Sequence, residues 1–261
     1  MKKMMCLLMS ILVFTGCETK APAPEAPPAE AVSAKTEGWG FRRMPEGRPE
    51  FTAAQIKAMD TYGCYYMGKE DNGLYLTFDE GYENGYTAKI LDTLKEKNVP
   101  AAFFITMPYF KEHGDLVKRM VEEGHIVGNH TVNHPSLPSV LDDQKLEEEI
   151  TGLTHAFTEK FGAPMHYLRP PKGEYNERTL SITQKMGYTN VFWSAAYADW
   201  AQNESHGKAY AFDKVMGGLH GGAVILLHAV SRDNAEALGD IIDAAREKGY
   251  EFRSLDQYVK E

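Results

Sequence analysis

From Leu74 onward, short apolar runs alternate with amphipathic segments of helical period, and that alternation restricts the chain to an α/β fold built on a mainly parallel sheet. Strand-like runs fall at 74–78, 101–106, 126–128, 166–168, 190–193 and 223–227, and helix-like segments at 86–97, 115–124, 142–161, 177–187, 210–219 and 234–248. Asp233, with Glu236 three residues on, reads as a capping box for the last helix, and Gly249 as its stop. The conspicuous polar residues sit just past strand ends: Asp79-Glu80, Asn129-His130, Arg169, Asp199-Trp200 and His228. In a parallel barrel every strand opens its C-terminal end on one face, so these groups are expected to share a rim.

Two of them have the chemistry of a metal hydrolase. His130 and His134 lie four residues apart, and Asp79-Glu80 offers one carboxylate to complete a divalent-ion site and a second to act as a base. Taken alone, the histidine spacing suits solvated or core histidines as well; its coincidence with the other strand-end groups favours a site. His113, His125, His155, His166, His206 and His220 lie outside these groups and are read as non-catalytic.

The ends of the chain carry an address. Lys2 and Lys3 precede a mostly apolar run from Met4 to Phe14, too short to span a bilayer, and Thr15-Gly16-Cys17 follows. Residues 1–16 read as a lipoprotein signal, with Cys17 carrying the lipid that holds the protein on a membrane. An ordinary cleaved signal with an incidental cysteine is the other reading. Residues 17–37, rich in Pro and Ala, form an extended tether. The remainder suits one domain: an N-terminal extension at 38–73 packed on a barrel at 74–261. Of three cysteines, Cys6 leaves with the signal and Cys17 is the anchor, so Cys64 has no partner for an internal disulfide. A net charge of −9 without a basic run argues against nucleic acid. The protein is expected to be exported and monomeric.

Five segments in order resemble the polysaccharide deacetylase, or NodB-homology, family: Thr77-Phe78-Asp79-Glu80-Gly81, His130-Thr131-Val132-Asn133-His134-Pro135, Arg169-Pro170-Pro171-Lys172-Gly173, Asp199-Trp200 and Ile225-Leu226-Leu227-His228. The resemblance implies a distorted TIM-like (β/α) barrel of fewer than eight strands and hydrolysis of N-acetyl groups on amino sugars, assisted by zinc or a similar divalent metal. It implies Asp79 as general base, His130 and His134 as metal ligands, Arg169 orienting the base, Asp199 tuning the acid His228, and Leu226 with Trp200 around the acetyl group. The stretches 81–87, 192–194 and 228–238 further resemble the δ-lactam-biosynthetic murein deacetylases, whose implied substrate is N-acetylmuramic acid in peptidoglycan. One departure is Glu80, where the family usually has a metal-binding Asp.

Five further residues are expected to act on substrate. The backbone N–H of Lys172 is a donor for an oxyanion, and Tyr82, Glu83 and Asn84 are candidate contacts by position. Arg232, four residues past His228, is a candidate for the lactyl carboxylate of muramic acid, since guanidinium forks match carboxylates. Deacetylation of N-acetylglucosamine or xylan, and non-catalytic glycan binding, remain open alternatives.

Overall fold

The computed structural model of the protein describes residues 35–45, 47–202 and 204–260. The signal segment, Cys17 and nearly all of the tether lie outside the described residues. In chain order the elements are β1 (Glu37–Gly38), α1 (Ala53–Thr61), β2 (Gly73–Glu80), α2 (Thr87–Lys97), β3 (Ala101–Ile105), α3 (Met107–Glu112), α4 (Gly114–Glu122), β4 (Ile126–Asn129) and α5 (Asp143–Phe161). Then come β5 (Tyr167–Leu168), β6 (Glu174–Tyr175), α6 (Glu177–Lys185), β7 (Thr189–Asn190), β8 (Ala195–Ala196), α7 (Lys208–Met216), β9 (Ala223–His228), α8 (Arg232–Glu247) and β10 (Glu251–Phe252).

Seven strands curl in the order β7-β5-β4-β3-β2-β9-β8, all parallel, and β10 adds parallel to the first two residues of β2. The sheet is therefore an incomplete barrel, as expected. The seam between β7 and β9 is crossed by the end of the N-terminal extension: the Tyr65 N–H donates to Asn190 O, Phe192 N–H donates to Tyr65 O, and Met67 bridges to Ala223.

β2 is the axis of the fold, and all eight of its residues are buried. Side chains alternate across a strand. Leu74, Leu76 and Phe78 turn outward into the main core beneath the helices, while Tyr75 turns inward with Ala102, Phe104, Val191 and Val224. Above that small interior core Thr77 and Asp79 continue the inward row. A strand buried on both faces reads as a continuous apolar run, which is why 74–78 stood out in the sequence.

The helix boundaries follow local chemistry. Asp142 caps α5 by accepting from Lys145 N–H, and Gly162 ends it in the left-handed conformation. The N-cap of α8 differs from expectation: Ser231 accepts from Asn234 N–H. Asp233 is instead buried, where its carboxylate accepts from Ser205 Oγ and from the N–H groups of His206 and Gly207, anchoring the preceding loop. α1, α3, β1, β6, β8 and β10 were not foreseen; all are short, and short elements carry little periodicity.

Residues 38–73 are built onto the barrel through Trp39. Its indole N–H donates to Trp193 O at 2.8 Å, its backbone N–H donates to Gly173 O at 2.8 Å, and its ring lies 4.8 Å from that of Phe192. Gly173 has φ +67°, and a Cβ there would meet Trp193 at 2.8 Å, so glycine alone lets the two segments approach. Replacing Trp39 by Ala is expected to destabilise the protein by about 3–5 kcal/mol, through the lost ring and the cavity left behind. Guanidinium unfolding measures it; a loss under 1 kcal/mol, within the scatter of surface changes, would mean the extension does not brace the barrel.

Candidate active site

At the C-terminal ends of the strands a cavity of about 640 Å³ is lined by Asp79, Tyr82, His130, His134, Lys172, Trp193, Trp200, Leu226 and His228, among others. Behind Asp79 lies Arg169, which has no solvent exposure. Nη1 donates to Asp79 Oδ1 at 2.8 Å, Nη2 to Thr77 Oγ1 at 2.8 Å, and Nε to Val191 O at 3.0 Å. The guanidinium carbon lies 4.2 Å over the Phe104 ring. That ring is seated against Gly128, where a Cβ would come within 2.6 Å of it. Burial alone would raise the Asp79 pKa; the charge of Arg169, aided by His130 and His228, outweighs it and holds the carboxyl below its usual 3.8. Asp79 is thus an anion at neutral pH.

His130 follows β4. Its Nδ1–H donates to the carbonyl of Arg169 at 2.8 Å, which leaves the Nε2 lone pair facing the cavity. Burial pushes its pKa down to about 4, against the opposing pull of Asp79, so the ring is neutral. His134 is shifted down for the same first reason. The two Nε2 atoms stand 3.1 Å apart, and Asp79 Oδ2 is 3.6 Å from that of His130. Two nitrogens bound at about 2.0–2.1 Å to a tetrahedral ion would be roughly 3.3 Å apart, so the pair fits two corners of such a site. The loop pays in backbone strain: Thr131, His134 and Lys172 have φ of 73°, 55° and 60°. Left-handed residues other than glycine typically cost about 1–3 kcal/mol each and cluster at functional sites. Asn129 holds the turn, accepting from Thr131 N–H through Oδ1 and donating through Nδ2 to Ile150 O and Thr154 Oγ1.

His228 ends β9 as the register partner of Asp79 on β2. Its Nδ1–H donates to Asp199 Oδ1 at 2.7 Å, and its backbone N–H to Asp199 Oδ2 at 2.9 Å. Asn234 Nδ2 also donates to Oδ2, at 2.6 Å. Burial works against the imidazolium, but the hydrogen bond to Asp199 and the charges of Asp199 and Asp79 outweigh it, raising the pKa above 6.5. The cavity therefore holds an anionic carboxylate, two neutral imidazoles with converging lone pairs, and a third imidazole that favours its proton. A base, an ion site and an acid face one another.

Several expected residues do not join them. Glu80 was expected as the third metal ligand, but β2 runs through residue 80, so its side chain leaves the opposite face from Asp79. It is fully buried, neither carboxyl oxygen has a hydrogen-bond partner among the described residues, and burial with Glu83 and Asp79 nearby raises its pKa well above 4.5. It is a neutral acid beneath the site. Among the described residues no cluster of three or more His, Cys, Asp or Glu forms a metal-binding set. Glu83 turns inward as well, accepting from the N–H groups of Gly85 and Thr87 and from Tyr109 Oη. Asn84 donates to Val230 O and ties two rim loops together. Arg232 is spent on Glu236 at 2.7 Å, one turn along α8, with its side chain 61% exposed. Tyr82, by contrast, lines the cavity and donates to Trp200 O at 2.7 Å.

Asn129, noted in the sequence as a strand-end residue, proves to be a support, whereas Thr77, Phe104, Trp193 and Asn234 were not singled out. Thr77, Trp193 and Asn234 lie within recognised segments. Nothing in the sequence marks Phe104.

Residues 67–191 match the polysaccharide deacetylase family. The chain is 42% identical over 248 residues to the peptidoglycan-N-acetylmuramic acid deacetylase PdaA of Bacillus subtilis (strain 168), covering 94% of each. The solved structure of Bacillus subtilis PdaA, a family 4 carbohydrate esterase, superposes with a TM-score of 0.84 at 40% identity, covering 87% of this chain and 98% of that one. A family 4 carbohydrate esterase from Bacillus anthracis superposes with a TM-score of 0.74 at 44% identity and the same coverage. With motifs, fold and relatives in agreement, the chain belongs to the polysaccharide deacetylase family.

Proposed function

We propose that the protein removes the N-acetyl group from N-acetylmuramic acid residues of peptidoglycan. The observation that carries this reading is the facing of Asp79 and His228 across one cavity, with the histidine pair beside them; the likeness to a deacetylase of that substrate supports the choice of sugar. Asp79 takes a proton from a water as its oxygen attacks the acetyl carbon. Arg169 keeps that carboxylate ionised and aimed. The N–H of Lys172 is offered to the oxyanion. His228, oriented by Asp199, gives its proton to the sugar nitrogen as the C–N bond breaks, so the products are acetate and a free amine. Leu226 and Trp200 enclose the acetyl methyl. A divalent ion, zinc by the softness of imidazole donors, would be held by His130 and His134 with solvent in place of Glu80, and would supply Lewis acidity.

On this reading the domain works outside the cytoplasm as a monomer. Residues 1–16 direct export, lipid on Cys17 holds the protein on the membrane, and residues 17–37 let it reach the wall. The resulting glucosamine-type amine on muramic acid is the group required for closure to a muramic δ-lactam, as in spore cortex.

Asp79→Asn and His228→Ala are each expected to lower kcat by about 10²–10⁴-fold while melting transitions stay cooperative. Mass spectrometry of muropeptides, scoring loss of one acetyl per muramic residue, decides it; near-normal turnover in either variant removes that residue from the mechanism.

The ion is tested separately. His134→Ala should lose the stoichiometric metal that the wild-type protein retains after dialysis, whereas Glu80→Gln should keep it, because the Glu80 side chain lies across the strand. Elemental analysis of the purified proteins reads both, and the opposite pattern would restore Glu80 as a ligand.

The pH profile follows from the two shifts. The base must be ionised, so activity rises with pH through the lowered Asp79 pKa, on the acid side of 3.8. The acid must be protonated, so activity falls with pH through the raised His228 pKa, above 6.5. Asp199→Asn removes what raises the second and is expected to move the alkaline limb of kcat/KM to lower pH with the acid limb unmoved. An unmoved alkaline limb would mean that His228 is not the titrating acid.

A further inference from the structure

The catalytic cavity does not end at His228. Beyond Trp200 and Leu226 it opens into a second groove of about 380 Å³, bounded by Phe41 and Arg43 of the N-terminal extension on one side and by Trp193 and Ala196 on the other. The two spaces share Trp193, Trp200, Leu226 and His228, so they adjoin at the proton donor. A polymer whose acetamide reaches His228 has a neighbouring part of itself in this groove.

Away from His228, which it shares with the catalytic cavity, the groove is lined by apolar and aromatic residues and by one further cation, Arg43. Arg43 is exposed, its guanidinium donates to the carbonyl of Ala196, and among the described residues no carboxylate pairs with it. The arginines around it differ: Arg42 is tied to Glu50, and Arg232 to Glu236. A guanidinium has five N–H donors in a planar fork, and one carbonyl leaves most of that fork available for a carboxylate. The backbone that carries Arg43 is held in place. Arg42 and Glu50 exchange both backbone hydrogen bonds, at 2.9 and 3.0 Å, and Trp39 is pinned to Gly173 and Trp193. Residues 39–43 thus present a positive group on an anchored backbone at the mouth of the groove.

We infer that Arg43 selects substrate by pairing with a carboxylate on the muramic residue, either the free lactyl carboxylate or one on an attached peptide stem. The inference rests on the muramic acid reading above. A glycan of N-acetylglucosamine alone offers no such group, so the pairing discriminates between the two sugars.

The test compares the full-length wild type with Arg43→Ala and Arg43→Lys on four glycans: N-acetylglucosamine oligomers, peptide-free strands with the free lactyl group, the same strands with that group converted to its neutral methylamide, and strands with intact stems. Arg43→Ala is expected to lower kcat/KM on a carboxylate-bearing strand by about two- to fivefold, the scale of a solvent-screened ion pair, chiefly through KM. The methylamide and N-acetylglucosamine oligomers should be unaffected. Arg43→Lys should recover part of the loss, and the difference should shrink as salt rises. Whether the loss appears with free lactyl strands or with stem-bearing strands says which carboxylate is bound. Equal change on charged and neutral strands, or no change on any, overturns the role of Arg43. A wild type active on N-acetylglucosamine oligomers but inactive on every muramic strand overturns the proposed function itself, and the inference with it.

Discussion

Everything in the cavity depends on a fully buried guanidinium. Arg169 cannot lose its proton inside the barrel, so the fold must supply it with a charge partner and acceptors, and Asp79, Thr77 and Val191 do so. Breaking such a buried pair from either side leaves an uncompensated charge and typically costs about 3–5 kcal/mol. The pairing also does chemical service: it keeps Asp79 ionised and fixes its second oxygen toward the cavity. The backbone of the same residue orients His130 through its carbonyl. One arginine therefore sets both the charge of the base and the tautomer of the first imidazole.

A second carboxylate, in the loop that follows β8, has the opposite effect. Asp199 sits beside His228 rather than beside an arginine, and it holds a proton on the imidazole instead of keeping one off a carboxylate. Two groups in register on β2 and β9 are thus driven toward opposite protonation states by their immediate partners, which is the arrangement acid–base chemistry at neutral pH requires. The strained backbone at Thr131, His134 and Lys172 places the remaining groups, and Asn129 and the tight Trp39–Gly173–Trp193 contact hold that strain.

Much of this was legible in the chain. The parallel order, most helices and the clustering of strand-end polar groups follow from periods of two and three to four, which report which side of an element is buried. The misreadings have specific causes. Asp233 and Glu236 have capping-box spacing, yet Ser231 sits two residues nearer the true start and takes the cap. Glu83, Asn84 and Arg232 were judged on distance along the chain from catalytic residues. Their side chains instead satisfy a helix start, a loop carbonyl and a neighbouring glutamate.

Fold class, family and the set of groups brought to one rim can be read along the chain, because strand ends, hydrophobic period and motif spacing are local properties that survive projection onto a line. Which side of its element each group occupies is set by packing in three dimensions. Asp79 and Glu80 are adjacent and chemically alike, but a strand that continues two residues past its apolar run turns them to opposite faces, one into the cavity as an anion and the other into the protein, where burial disfavours its charged form. The same holds for the arginines: Arg232 is near His228 in sequence and is spent elsewhere, while Arg43 is far away in sequence and is carried to the groove by the fold of the N-terminal extension. Facing direction and long-range approach depend on how elements pack, and no local pattern in the chain records them.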